Sequence, residues 1–134
     1  MKRFSSRTQI IGSKGETICS KWLNDNGFAI LERNYTTSSG EIDVIAQKGK
    51  KIHFIEVKSI QYNSNTYVSY ETLYNPAENL TSKKLRRCYT TILQYLDENQ
   101  VSHETSYQFD LYMVYIDSQN LFHKIKRIEN IVFE

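Results

Sequence analysis

Residues 40–59, GEIDVIAQKGKKIHFIEVKS, constrain the fold of this chain more than any other part of the sequence. Apolar residues stand on both sides of the turn sequence QKGKK, a pattern that predicts a buried β-hairpin. The same two strands carry Asp43, Glu56 and Lys58. Burying an ionised carboxylate is costly unless something pairs with it, so a hairpin with two of them must supply a partner.

The glycine in the turn predicts how the two strands pair. In a two-residue type II′ loop, glycine takes the first central position, so the loop is Gly49-Lys50 and Lys48 lies opposite Lys51. Counting back from this pair places Asp43 directly opposite Glu56. A loop shifted by one residue makes them diagonal neighbours instead, and in both cases they share one face of the sheet.

Asp43, Glu56 and Lys58 are therefore expected to converge at one end of an otherwise apolar sheet. Like charges across a strand pair repel each other, and Lys58 supplies only one positive charge. Carboxylate oxygens are ligands that suit Mg²⁺ or Mn²⁺, so a divalent metal is one partner that fits. The other is a salt-bridged hairpin, in which Lys58 neutralises one carboxylate and water hydrates the second. The spacing alone leaves both open.

The rest of the sequence predicts two helices and three further strands. The first helix covers residues 6–26 and ends at Asn26-Gly27, and the second runs from an N-cap at Thr81 to Glu98. The strands are FAILERNYT, YQFDLYMVYID and LFHKIKRIENIVF, the last two joined by a turn over 117–120, and residues 61–80 form a long surface loop. This order predicts an α/β sandwich around a mixed sheet, in a single domain over residues 1–134.

The amino-acid composition limits which cellular compartment and which partners the sequence predicts. The net charge is only +2, from 17 basic and 15 acidic residues, so a nucleic-acid partner must be recognised by a local patch. No signal peptide and no apolar run of about 18 residues is present, which predicts a cytoplasmic protein without a membrane partner. Cys19 and Cys88 lack metal-ligand spacing and are expected to be small core residues, and His53, His103 and His123 are too far apart to predict a metal site.

Several fragments, in order, resemble a known family. GEIDVIA followed by FIEVKS resembles the PD-(D/E)XK nuclease superfamily. With GSKGETICSKWLNDNGFAILERN, LTSKKLRRC and QFDLYMV, the sequence resembles the YraN-like bacterial proteins, which are similar to archaeal Holliday-junction resolvases. The resemblance implies a restriction-endonuclease-like αβββαβ core with a mixed central sheet flanked by helices. It also implies metal-dependent hydrolysis of phosphodiester bonds, by a structure-directed or weakly specific DNA endonuclease.

The resemblance also implies roles for individual residues. Asp43 and Glu56 would bind Mg²⁺ or Mn²⁺, and Lys58 would position the attacking water or stabilise the developing charge. Glu16, which follows the glycine in the GxxGE motif of the first helix, would be an additional acidic residue of the same site. Lys84 matches a lysine that recurs in the second helix of the family.

Four basic residues lie on the predicted solvent side of the second helix: Lys83, Lys84, Arg86 and Arg87. We expect Lys83, Lys84 and Arg87 to contact nucleic-acid phosphates, with Lys84 the strongest candidate. The alternative is an ordinary solvated helix face. Tyr62, Tyr67, Tyr70 and Tyr74 could similarly stack on unpaired bases, pack over the core or form a dimer contact.

The sequence also departs from the family. Ser59-Ile60 and Thr36 stand where the family has arginines, so some phosphate contacts are expected to be missing. Two further interpretations therefore stay open at this point. One is a catalytically silent nucleic-acid-binding module, and the other is a homodimeric interaction protein on the same fold.

Overall fold

The computed structural model describes residues 7–62, 80–117 and 123–133. The elements are, in chain order, α1 (Arg7–Asp25), β1 (Ala29–Thr37), β2 (Gly40–Lys48), β3 (Lys51–Tyr62), α2 (Ser82–Glu98), β4 (Tyr107–Asp117) and β5 (His123–Ile128). The strands form one sheet in the order β1-β2-β3-β4-β5, in which β3 and β4 are parallel and the other neighbours antiparallel. The predicted mixed sheet and its αβββαβ order are confirmed.

The sheet separates two apolar layers, each covered by one helix. Cys19 and Leu23 of α1 are fully buried against Val44 and Ile55 on one face. On the other face, Ile92 and Tyr95 of α2 pack with a second set: Tyr35, Ile42, Ile45, Ile52, Phe54 and Phe109. Because α2 is also the crossover between the parallel strands β3 and β4, its first turns are held above one sheet face.

Both helix boundaries follow from local sequence signals. Gly27 has φ +85°, its N–H donates to the Asn24 carbonyl, and the Phe28 N–H donates to the Leu23 carbonyl. This is a Schellman motif, which only a residue tolerant of positive φ can close. At the start of α2, Thr81 Oγ1 accepts from the Lys84 N–H at 3.2 Å, so the predicted N-cap is confirmed.

The β2–β3 hairpin has the predicted register. Lys48 pairs with Lys51, and Ile45 pairs with Phe54. Gly49 has φ +60° while Lys50 does not have a positive φ, which is the pattern of a type II′ turn. Ile45 and Phe54 are fully buried on the α2 side of the sheet, as alternation from this turn predicts.

The C-terminal strand is shorter than predicted. β5 ends at Ile128 rather than continuing to Phe133. Asn130 has φ +56°, its N–H donates to Asp110 Oδ1, and the Ile131 N–H donates to the Phe109 carbonyl. A side chain of the neighbouring strand therefore takes the bond that would extend the β ladder.

Other predictions lie partly outside the described residues. β3 extends to Tyr62, where the sequence predicted a loop, while Tyr67, Tyr70 and Tyr74 fall in the range 63–79 that the structure does not describe. The same holds for residues 118–122, in which most of the predicted turn lies. No helix of the described ranges has the length and apolar character that crossing a membrane requires.

Candidate active site

Strands β2 and β3 stop pairing with each other next to Asp43 and Glu56. Their pairing runs from the turn to Val44 and Ile55 and stops there. Beyond this point β2 continues to pair only with β1, and β3 only with β4. Asp43 and Glu56 are the next residues on each strand, and Asp43 Oδ2 accepts a hydrogen bond from the Val57 N–H at 2.8 Å. The predicted direct pair of Asp43 and Glu56 is thus absent from the ladder, because the Asp43 side chain takes the Val57 N–H, which a continued ladder would pair with Ile42.

Strand β2 is also irregular at Asp43. Strict alternation would place Ile42 and Ile45 on opposite faces, yet both are fully buried in the α2-side layer. On β1, the residue facing this irregularity is Asn34, with φ +54°. Asp43 therefore lies in an opening between the strands, where groups from both faces of the sheet can approach it.

Glu16 approaches Asp43 from the α1 side. A Cβ on the preceding Gly15 would lie 2.8 Å from Cβ of Ser59 on β3, a separation that side chains do not tolerate. Glycine is therefore required for the close packing of α1 on β3, and the next residue, Glu16, comes within hydrogen-bonding reach of Asp43. The same Glu16 lies 3.9 Å from Arg33 Nη2, so one cation of β1 joins the site.

Glu56 and Lys58 approach from the α2 side. Lys58 Nζ lies 3.3 Å from Glu56 Oε1, and 44% of the lysine side chain is exposed against 18% of the glutamate. Both line a cavity of about 190 Å³ between the sheet and the start of α2. Its other lining residues are Gly40, Glu41, Leu80, Lys84, Arg87 and Cys88. The Lys58 side chain is thus partly exposed and lines the same cavity as the more deeply buried Glu56.

Burial dominates the electrostatics of the three carboxyls. It raises the pKa of Glu16 to about 7 and that of Glu56 to about 7, and in both cases the charge of Asp43 adds to the rise. Lys58 opposes the rise at Glu56, and Arg33 opposes it at Glu16. The pKa of Asp43 is also raised by burial, although the Val57 N–H works in the other direction. Two cations therefore do not fully compensate three carboxyls near neutral pH.

The comparison with known families identifies the chain. The uncharacterised protein family UPF0102 matches residues 15–114, a range that contains all four predicted site residues and the basic part of α2.

The chain belongs to the UPF0102 family. It is 41% identical over 124 residues to a UPF0102 protein of Campylobacter lari strain RM2100, which spans 92% of this chain and 95% of the relative. UPF0102 proteins of Campylobacter fetus and of Clostridium botulinum strain Loch Maree are 36% and 34% identical, over 92% and 90% of this chain. The resemblance to the YraN-like family, which is UPF0102, is thereby confirmed.

The acidic side chains of this UPF0102 site offer oxygen donors for a divalent cation. Within the described ranges, no three His, Cys, Asp or Glu side chains are arranged to hold a metal ion by themselves. Asp43 and Glu56 supply carboxylate oxygens, the donor type that Mg²⁺ accepts. A divalent charge would oppose the part of the pKa rise at Glu16 and Glu56 that the charge of Asp43 causes.

The other predicted residues lie at different positions relative to the cavity. Lys84 and Arg87 line the cavity with Glu56, whereas Lys83 lies beyond it, beside Arg86. Cys19 is fully buried and Cys88 is half-buried, and burial raises the pKa of their thiols to about 12 and about 11. Both are therefore poor nucleophiles, in keeping with a packing role.

Two features were missed by the sequence analysis. Arg33 could have been found by counting back from the β1–β2 turn, because Thr37 pairs with Gly40 and Arg33 with Val44, next to Asp43. The second is a buried pair away from the site, in which His53 Nδ1 lies 2.8 Å from Asp110 Oδ2. The signal for this pair was a charged residue within the apolar QFDLYMV strand.

Proposed function

We propose that this UPF0102 protein hydrolyses phosphodiester bonds in nucleic acid, as a Mg²⁺- or Mn²⁺-dependent, structure-directed or weakly specific DNA endonuclease. The observation that carries the proposal is the meeting of Asp43, Glu56 and Lys58 in the opening between β2 and β3, with Glu16 behind them. Carboxyls whose pKa is shifted by burial and by a neighbouring charge, beside a cavity, are a feature that active sites share.

The residues of the site would divide the work of hydrolysis. A bound divalent cation supplies a water of lowered pKa and a positive charge for a phosphate oxygen. Asp43 is oriented for binding by the Val57 N–H, which holds one of its oxygens at 2.8 Å. Glu56 Oε1 lies 3.3 Å from Lys58 Nζ, so the two side chains form an ion pair at the cavity.

Lys58 is placed to stabilise negative charge on the reacting phosphate. Its side chain is partly exposed and lines the cavity, and its ammonium forms an ion pair with Glu56 at 3.3 Å. A preorganised cation in a partly buried site stabilises developing charge more than one in water does. Glu16 would hold or accept a proton near neutral pH, because its pKa lies at about 7.

Lys84 and Arg87 extend the positive side of the cavity along α2. Both line it together with Glu56 and Lys58. Their spacing of three residues places them on neighbouring turns of one helix face. They are suited to bind phosphate oxygens next to the scissile group, which matches the sequence-based prediction.

The competing interpretation is a silent nucleic-acid-binding module, suggested by the serine and threonine in place of arginines. Ser59 packs under Gly15 on the α1 side of the sheet, whereas the cavity lies on the α2 side. An arginine in place of Ser59 would therefore not line the cavity, but the departure also covers Ile60, which packs with the cavity-lining Leu80. Homodimerisation stays a prediction that a silent module and a nuclease would share.

A cleavage assay tests the proposal. Wild-type protein, Asp43→Asn and the control Glu104→Gln, an exposed carboxyl outside the cavity, are incubated with labelled branched, single-stranded and duplex DNA, with Mg²⁺, with Mn²⁺ or with chelator. We expect wild type and Glu104→Gln to cut at least one substrate only with metal, and Asp43→Asn to lose this by on the order of 100-fold or more. Equal cutting by Asp43→Asn would contradict the proposed site, and binding without cutting would favour the silent module.

A further inference from the structure

A second cavity lies beside the first, on the far side of Arg87. Its volume is about 330 Å³, and its lining residues are Ser38, Ser39, Lys83, Arg86, Arg87 and Thr90. The set consists of three cations and three hydroxyl residues and contains no carboxylate. In contrast, the cavity of the candidate active site is lined by Glu41 and Glu56. Arg87 is common to both, so the two cavities are adjacent.

The fold builds the second cavity from the β1–β2 turn and one stripe of α2. Lys83, Arg86 and Thr90 recur at intervals of three and four residues, which places them on one helix face. The turn is packed closely against the helix, since a Cβ on Gly40 would lie 3.2 Å from Thr91 Oγ1. The packing of Gly40 against Thr91 therefore sets the distance between the backbone of the β1–β2 turn and that of α2.

The positive charge of this cavity is not balanced within the described part of the chain. None of the ion pairs found there involves Lys83, Arg86 or Arg87. Like charges three and four residues apart destabilise a helix, so the arrangement opposes folding to a small degree. An anionic partner that bridges the cations would relieve this repulsion.

We propose that this cavity is an anchoring site for a backbone phosphate of a nucleic-acid strand, separate from the hydrolytic cavity. Cations and hydroxyls bind phosphate oxygens without reading bases, so the site fixes the position of the strand and not its sequence. Arg87 would contact the phosphates on both sides and set their spacing. The proposal rests on the proposed function for the identity of the ligand.

Binding can be tested without cleavage. We would measure fluorescence anisotropy of a labelled DNA single strand and of its duplex, in chelator, over a series of salt concentrations. The variants are Lys83→Ala/Arg86→Ala and the control Lys50→Ala/Lys51→Ala, which removes the same charge at the β2–β3 turn. The charge-retaining variant Lys83→Arg/Arg86→Lys shows whether charge or shape is needed.

The loss of two phosphate contacts should weaken the salt dependence of DNA binding. In Lys83→Ala/Arg86→Ala, the negative slope of log affinity against log salt should become less negative, by about 1.4 for single strands or about 1.8 for duplex. The slope should stay unchanged in the control and in the charge-retaining variant. Equal slopes in Lys83→Ala/Arg86→Ala and the control, or no binding of DNA by the wild type, would overturn the anchoring site.

The outcome is separable from that of the proposed nuclease activity. A reduced salt slope in a protein that cuts no DNA would support the anchor and contradict the nuclease. Metal-dependent cutting with an unchanged slope would support the nuclease and overturn the anchor. Thermal unfolding of each variant confirms that the comparison is between folded proteins.

Discussion

Glu56 is held in an environment that disfavours its charged form. Burial and the neighbouring Asp43 raise its pKa from 4.5 to about 7. A carboxyl whose pKa is raised on folding stabilises the fold below its unfolded pKa, and this contribution is lost as the pH rises to the folded value. The metal-free protein therefore carries a cost from Glu56 at about pH 8 that is absent at about pH 4.

Replacing Glu56 by glutamine should remove this cost. Because the amide is neutral at every pH, we expect Glu56→Gln to stabilise the metal-free protein at about pH 8 by about 1–3 kcal/mol. That corresponds to an increase in Tm of about 3–5 °C per kcal/mol. Thermal unfolding in chelator measures it, with Glu104→Gln as the exposed control outside the site. A Glu56→Gln protein less stable than wild type would contradict the charge argument.

Metal binding should depend on pH through the same carboxyls. A cation competes with the protons that Glu16 and Glu56 hold below their pKa of about 7. The rise in Tm caused by Mn²⁺ should therefore be larger at about pH 8 than at about pH 6. Thermal shifts at both values measure the difference, and an Mn²⁺ effect that is equal at both would argue against carboxylate ligands.

At the scale of elements, the site depends on how closely α1 packs against β3. Gly15 lies over Ser59, and a methyl group there would overlap the serine side chain. We expect Gly15→Ala to destabilise the protein by about 1–3 kcal/mol, because the helix or the strand must shift. Glu16 and Lys58 are the neighbours of these two residues, so metal affinity should fall as well. Chemical denaturation and an Mn²⁺ titration measure the two effects.

The chain offers a control and a rescue for this substitution. Gly12 lies one turn earlier in α1 with nothing within 4 Å of an added Cβ, so Gly12→Ala should stabilise the helix by about 0.5–1 kcal/mol. In a Ser59→Gly background, Gly15→Ala should lose most of its cost, since the Ser59 Cα lies at an ordinary 3.7 Å. An equal cost in both backgrounds would show that the contact is unimportant.

Asp110 on β4 joins β3 to the segment that follows β5, away from the site. Its carboxylate lies 2.8 Å from His53 on β3 and accepts bonds from Gln108 at 2.7 Å and from the Asn130 N–H at 2.8 Å. Asp110→Ala leaves these groups without their partner and should cost about 2–4 kcal/mol. Chemical denaturation measures it against the exposed control Glu104→Ala. A cost below about 0.5 kcal/mol, the range of ordinary surface changes, would contradict this role.

At the scale of the whole molecule, the sequence predicted the architecture because its signals are local and repeated. Helical periodicity, an N-cap at Thr81 and a stop at Gly27 give the helices, and one glycine at position 49 gives the hairpin register. The resemblance to a family added the restriction-endonuclease-like αβββαβ core. Together these features predicted which residues gather at the candidate site.

The parts that the sequence did not predict depend on contacts between distant segments. β5 ends early because Asp110 captures the Asn130 N–H across 20 positions of sequence, which no local pattern signals. The separation of β2 and β3 at Asp43 is likewise a tertiary effect, since the turn alone predicts continued pairing. Arg33 joins Glu16 only once α1 has packed on the sheet.

A calorimetric titration of Mn²⁺ at about pH 8 would measure whether the buried carboxyls form a metal-binding site. We expect saturable binding to wild-type protein and to the exposed control Glu104→Gln, and its loss in Asp43→Asn. Binding that survives unchanged in Asp43→Asn, or that is absent from the wild type with nucleic acid present, would contradict this expectation. In that case Asp43, Glu56 and Lys58 would be a structural ion-pair cluster at the point where two strands part.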